Sequence, residues 1–142
     1  MTRVDFYLLQ GGKNANREQF TCRLAEKAFR LGHRIFLHSP DPQAARHLDG
    51  LLWTFRDTSF LPHALVTDAA EAEDTPILIG TGEEPPGEFD LLINLGTEVP
   101  EFFSRFDRVA EPVPPEENER ARARERFRFY RDRGYPMETH EL

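Results

Sequence analysis

Four short apolar runs, each bounded by loop-forming residues, constrain the fold of this chain more than any other feature. Val4 to Leu9, Arg34-Ile-Phe-Leu-His38, Pro76-Ile-Leu-Ile-Gly80 and Asp90-Leu-Leu-Ile-Asn94 have strand length and strand composition. Helical periods follow the first two. Phe20, Leu24, Ala28 and Leu31 recur at i, i+4, i+8 and i+11, with Gly32 where a helix C-cap glycine belongs. Asp41 can cap a second helix with Pro42 at its first position, and Ala45, Leu48 and Leu52 give that helix a buried face. Strands alternating with helices predict an α/β fold, a Rossmann-like three-layer sandwich with a mostly parallel sheet and helices on both faces.

The remaining segments are assigned on weaker patterns. From Trp53 to Asp74 the aromatic residues follow no clean period, which reads as one long connection. A short helix is expected after Pro100. Arg108-Val-Ala-Glu-Pro-Val113 is expected to be the last strand, at a sheet edge, because Pro112 lacks the N–H that a central ladder needs. After Pro114-Pro115 a long helix should run to about Arg133 and stop at Gly134 and Pro136. At roughly 100–200 residues per domain, residues 1–142 form a single domain. Leu, Ile, Val and Phe supply 36 of the 142 residues, enough for one hydrophobic core.

Charge separates two regions of the chain. The net charge is -7, which opposes direct, non-specific binding to a phosphate backbone. Residues 120 to 133 nevertheless carry seven arginines against Glu125 and Asp132, a local +5 that leaves the other residues at -12. An anionic partner should dock at this segment. Cys22 is the single cysteine, so no intramolecular disulfide, zinc knuckle or CxxC pair can form, in keeping with a reducing cytoplasm. No window approaches 18 apolar residues and the first ten residues lack a signal-peptide pattern, so neither a membrane span nor export is expected.

A doubly wound sheet invites a nucleotide-dependent enzyme, the main rival reading, but the motifs for it are missing. Gly11-Gly12-Lys13 lacks GxxxxGK[ST] spacing, and Gly80-Thr-Gly82 runs into Glu83-Glu84, which would set two carboxylates where pyrophosphate should lie. The first strand ends in Leu8-Leu9-Gln10, without the acid pocket of a phosphoacceptor. The five histidines, His33, His38, His47, His63 and His140, fall at no metal-ligand spacing, and His63 reads as a loop histidine bonding a backbone carbonyl. Cys22 reads as a buried, inert thiol. No nucleophile, base and orienting group can be named together, so no intrinsic activity, cofactor or metal is expected.

The most informative segment is Glu119-Arg-Ala-Arg-Ala-Arg-Glu-Arg-Phe-Arg-Phe-Tyr-Arg131. At about 100° per residue, Ala123, Phe127 and Tyr130 form an apolar stripe, and Arg120, Arg124, Arg128 and Arg131 group on the adjoining arc. Arg122, Arg126 and Arg133 point away, as a solvated face. An arginine stripe beside an aromatic one suits an acidic peptide with an apolar end, because guanidinium forks clamp carboxylates while the apolar recess takes a ring. The aromatic connection containing Trp53, Phe60, Leu61, Pro62 and His63 offers a second surface, with Phe60 the better contact and Trp53 more in character as a core plug.

These residues resemble a known family. Val4-Asp-Phe-Tyr-Leu-Leu9, Leu24-Ala-Glu-Lys-Ala28 followed by Gly32-His-Arg-Ile35, Leu48-Asp49 with Leu52-Trp53, Ser59-Phe60-Leu-Pro-His63 and Arg124-Glu-Arg-Phe-Arg-Phe-Tyr-Arg131 followed by Gly134 are similar, in order, to the chi subunit of bacterial DNA polymerase III. The resemblance implies a non-catalytic clamp-loader accessory that joins single-stranded DNA-binding protein to the replisome, in the cytoplasm and at the nucleoid. It implies that the acidic C-terminal tail of that protein, ending in phenylalanine with a free carboxylate, docks at the basic C-terminal helix, where Arg124, Phe127 and Arg128 occupy the matching motif positions; the arginine arc adds Arg120 and Arg131 to the expected site. Phe127 replaces a tyrosine often seen in the family and removes one hydroxyl. The loop with Trp53, Phe60, Leu61, Pro62 and His63 resembles the surface for the psi subunit or an equivalent clamp-loader partner, and for a helicase that competes for it. Residues 68 to 87 and the acidic C-terminus depart from the better-known members.

Overall fold

A computed structural model describes residues 1–11, 16–55, 61–66 and 75–142. Its sheet has seven strands: β1 (Arg3–Leu8), β2 (Ile35–His38), β3 (His63–Leu65), β4 (Ile77–Gly80), β5 (Leu91–Asn94), β6 (Arg108–Val113) and β7 (Met137–Glu141). They lie in the order β3-β4-β2-β5-β6-β1-β7, and every pair is parallel. Among the described residues three helices accompany them, α1 (Arg17–Arg30), α2 (Pro42–Thr54) and α3 (Glu117–Asp132).

Both faces of the sheet are covered, which is why strands that are apolar almost throughout suit this fold. Alternate residues face opposite layers. Phe6, Phe36, Leu78, Leu92 and Val109 pack with Ala123 and Tyr130 of α3 and with Phe102, Phe103 and Phe106 around a 3-10 turn. Tyr7, Leu37, Ile79, Ile93 and Ala110 face the other way, onto α1 and α2. The helix ends follow the sequence signals. Asn16 and Asp41 accept hydrogen bonds from the N–H groups of Gln19 and Gln43 at 3.0 and 3.1 Å, and Gly32 and Gly134, at φ +85° and +78°, turn the chain out of α1 and α3.

Four expectations change. The buried face of α1 is Thr21, Cys22, Ala25, Glu26 and Ala28, while Leu31 is 67% exposed. Small side chains let the helix approach the sheet, and they outweigh the larger stripe beside them. The long connection contains β3, a short strand paired with β4. β6 is interior rather than an edge, between β5 and β1. Arg108 donates its N–H to the Asp90 carbonyl, so alternation turns the nitrogen of Pro112 to the β5 side as well. The ladder to β5 accordingly stops at Ile93–Ala110, whereas the ladder to β1 continues to Val113. The proline ends one ladder and leaves the other intact. The edge on that side is β7, whose Met-Glu-Thr-His-Glu carries no apolar run, its exposed residues facing water.

Candidate functional site

The site begins with the seating of α3. Ala123, Arg126 and Tyr130 are the buried residues of this helix. Arg126, expected in water, is only 4% exposed, and its Nε donates to Glu111 Oε1 at 2.9 Å while an Nη donates to the Thr97 carbonyl at 3.0 Å. Glu111 on β6 is fully buried and also accepts from Tyr130 Oη at 2.8 Å and Asn94 Nδ2 at 2.9 Å. Burial pushes the Glu111 carboxyl above its ordinary range, against the pull of Arg126, Asn94 and Tyr130. Burial and the neighbouring Glu111 both raise the Tyr130 phenol, which stays protonated as a donor. A sign of this cluster was present in the chain: an acid inside Val109-Ala-Glu-Pro-Val113 demands a cation if that strand is interior.

With α3 seated this way, a notch of about 250 Å³ opens between the helix and the β1–β7 edge of the sheet. Phe6 and Leu8 from β1, Thr139 from β7, and Arg120, Ala123, Arg124 and Phe127 from α3 line it. The Phe127 ring meets Phe6 edge-on, with centroids 5.5 Å apart. Arg120 is anchored at the rim, its Nε donating to the Pro114 carbonyl at 3.0 Å and an Nη to the Leu9 carbonyl at 2.6 Å. Arg124 is exposed and pairs with Glu117 at 3.0 Å. Arg128 and Arg131 lie outside the lining; both are exposed, Arg128 paired with Glu125 and Arg131 with Asp132. The structure therefore brings Arg120, Arg124 and Phe127 together at one cavity, and places the other two arginines farther along the helix.

The second surface divides differently. Trp53 is 51% exposed, not a core plug, and its ring lies 4.5 Å from that of His63. Leu61 and His63 are buried, and the His63 imidazole sits between the Leu61 carbonyl at 2.6 Å and the Asp49 carbonyl at 3.1 Å. Both side chains belong to the interior rather than to an open surface, and Pro62 is half-buried. Phe60 lies outside the described residues.

Two further places bear on nucleotide and metal chemistry. Open α/β sheets take ligands at the carboxyl ends of their strands. Here that cleft, about 450 Å³ beside His38, is lined by Glu84, Glu98 and Glu101 and, among the described residues, by no lysine or arginine. The Glu83 carboxylate accepts the Thr81 N–H at 2.5 Å, so the chain's own acid occupies the amide that a phosphate would use. Residues 12–15, within the other glycine loop, lie outside the described residues. Asp5, Glu138 and His140 gather ligand-type atoms within 4.8 Å of one another. Positive charge there already comes from arginine: Arg108 Nε lies 2.7 Å from Asp5, and Arg3 pairs with Glu138. Burial alone would raise the Asp5 carboxyl, but His140, Arg108 and Arg3 together hold it below the usual carboxylate range. This cluster pins β7 to β1. No described helix is long and apolar enough to cross a membrane.

Fold and site together define a Rossmann-like α/β protein with an acidic cleft at the carboxyl ends of its strands and its cationic surface concentrated on one C-terminal helix. Sequence comparison narrows that class. The family model described as "DNA polymerase III chi subunit, HolC" matches residues 1–138, and the chain belongs to this family. DNA polymerase III subunit chi of Pseudomonas aeruginosa is 49% identical over 142 residues, spanning 100% of this chain and 98% of the relative. The subunits of that name from Haemophilus influenzae and Escherichia coli are 30% and 29% identical, each covering 98% of this chain and 96% and 97% of their own lengths. Among solved structures, T4 UvsW superposes with a TM-score of 0.68 over 99% of this chain at 10% identity. The match spans 41% of that longer chain and concerns the fold alone.

Proposed function

We propose that this chain is a non-catalytic accessory subunit of the clamp-loader complex that links the replisome, in the cytoplasm, to single-stranded DNA-binding protein by holding that protein's acidic C-terminal tail. The observation that carries the reading is the α3 notch: an apolar recess with a guanidinium anchored on its rim and a second, exposed guanidinium beside it. A terminal phenylalanine ring fills the recess, and its free carboxylate meets the arginines. Exchange of Glu117 for the tail on Arg124 replaces one exposed ion pair by another, so it costs little. Arg128 and Arg131 meet the acidic residues upstream in the tail. The chain's second contact is the surface of Trp53, in the last turn of α2, together with Phe60, for a psi subunit or equivalent clamp-loader partner, or a helicase competing for it. Two contacts together raise the effective concentration of the polymerase on coated template without a tight individual affinity.

Titration of a synthetic acidic peptide ending in a free phenylalanine carboxylate tests this. Binding on the order of micromolar is expected, weakening about ten-fold in Arg124→Ala and falling with added salt. Equal affinities for wild type and Arg124→Ala would remove Arg124 from the site. Retardation of a bare oligonucleotide by the isolated protein at physiological salt would replace the adaptor by a direct single-strand binder. Thermal protection by ATP or NAD would favour the nucleotide-dependent enzyme instead.

A further inference from the structure

We infer that the buried Glu111–Arg126–Tyr130 cluster is a positioning device that sets the rotation of α3 about its own axis, and thereby forms the notch. The inference rests on the proposed function only for what the notch binds; the rotation itself is tested independently of it.

The need for such a device comes from the sequence of α3. Arginines occur at positions 120, 122, 124, 126, 128 and 131, on every side of the helix, and the apolar side chains do not make one clean face. Phe127 and Phe129 lie about 160° apart on the wheel, with Tyr130 between them on one side. Apolar burial alone is thus satisfied comparably by a helix rolled toward Phe127 or toward Phe129. The Phe129 side already has a partner to roll onto in Phe103, with ring centroids 5.6 Å apart.

Glu111 removes this ambiguity. It is fixed on β6 beneath the helix, is fully buried, and takes three donors within 2.9 Å. Two of these donors, Arg126 and Tyr130, are one helical turn apart on α3, so both reach Glu111 at one rotation only. A roll toward Phe129 or Phe127 would leave a buried carboxylate without its cation, which is strongly destabilising. At the satisfied rotation Arg126 points down, and Phe127 follows about 100° around the helix, with Arg120 and Arg124 just beyond it. All three line the notch, and Ala123 is the fourth residue that α3 gives it. The cluster also reaches the loop after β5, through Arg126 to the Thr97 carbonyl and Asn94 to the Glu98 carbonyl at 3.1 Å, so the helix is indexed against two elements at once.

Stability is not what such a pair chiefly supplies. Replacing a buried ion pair by apolar side chains of similar volume is often neutral or stabilising, and fixing register is the best-attested use of such pairs. The double variant Glu111→Leu/Arg126→Met tests this in the full chain, with three readouts: melting temperature, affinity for the carboxylate-ended acidic peptide, and the nuclear Overhauser contact between the Phe6 and Phe127 rings. The expected result is a folded protein that melts within a few degrees of wild type, the gain from removing the buried ion pair being offset by the Tyr130 hydroxyl left without its acceptor. It loses the Phe6–Phe127 contact and binds the peptide roughly ten-fold more weakly. Tyr130→Phe, which keeps the ring and removes one donor, should weaken the contact while leaving the fold intact. A double variant that keeps both the ring contact and the affinity overturns the proposal. One that melts far below wild type assigns the cluster to stability and overturns it equally. If the wild-type protein does not bind the peptide, the functional reading fails, and the ring contact still decides the question of rotation.

Discussion

Gly80 ends β4 where the strand passes beneath a ring of the core, and a single methyl group there should be costly. An ideal Cβ on Gly80 would lie 2.3 Å from Cζ of Phe36 and 2.9 Å from its Cε1, against an ordinary contact of 3.4 Å or more. Relief demands a ring shift of about 1 Å, yet Phe36 is completely buried. Its centroid lies 5.7 Å from Phe89, 5.8 Å from Phe102 and 6.1 Å from Phe106, so each direction of retreat displaces another aromatic. Gly80→Ala should therefore cost toward the upper end of the overpacking range, about 2–3 kcal/mol. For a domain of this size that corresponds to a fall of about 5–10 °C in Tm, read by circular dichroism or calorimetry. Adding Phe36→Leu makes room for the methyl, so the two changes should be clearly less than additive. β4 and the notch lie toward opposite ends of the strand order, so tail-peptide affinity should be unchanged while the variant is folded. A drop in Tm below about 1 °C, or strict additivity with Phe36→Leu, would refute the close-packing account.

The acid limb of stability should depend on Asp5. Its folded carboxyl lies below its unfolded value of about 3.9, so its contribution is complete above that value and is lost as pH falls through the folded one. Asp5→Asn should thus be less stable at pH 7 and lose less stability than wild type between pH 5 and pH 2, as followed by urea unfolding. Burial pushes the Cys22 thiol up to about 12, so a thiol reagent at pH 8 should label it only in step with unfolding; rapid native labelling would show an open α1 face. Trp53 is the sole tryptophan and 51% exposed, so iodide should quench native fluorescence substantially, and a partner seated over the end of α2 should protect it. Arg120→Lys keeps the charge at the notch but cannot reproduce the fork onto Pro114 and Leu9. It should weaken the tail peptide several-fold, with a salt dependence like that of wild type.

The four apolar runs, the capping residue Asp41 and the arginine count of the last helix are local facts. A parallel sheet covered on both faces and a cationic C-terminal helix could be read from them, because strand length, helix period and net charge depend on neighbours in sequence. The family was legible for the same reason, as a set of motifs in fixed order. Contacts between distant segments were not. Nothing near Arg126 distinguishes it from Arg122 or Arg124 until Glu111, 15 residues earlier, is placed beneath it in the core. Pro112 suggests an edge to any reading that cannot see its two ladders separately. β7 owes its strand conformation to pairing with β1 rather than to its own composition, and with Thr139 it completes a notch whose other walls come from residues 6–8 and 120–127. The chain alone determined which residues carry charge and where the apolar strands run. Which arginine meets a buried carboxylate and which stays free to meet a partner was decided only by the rotation of one helix over the sheet, since a buried charge must find its counterion wherever tertiary packing puts one.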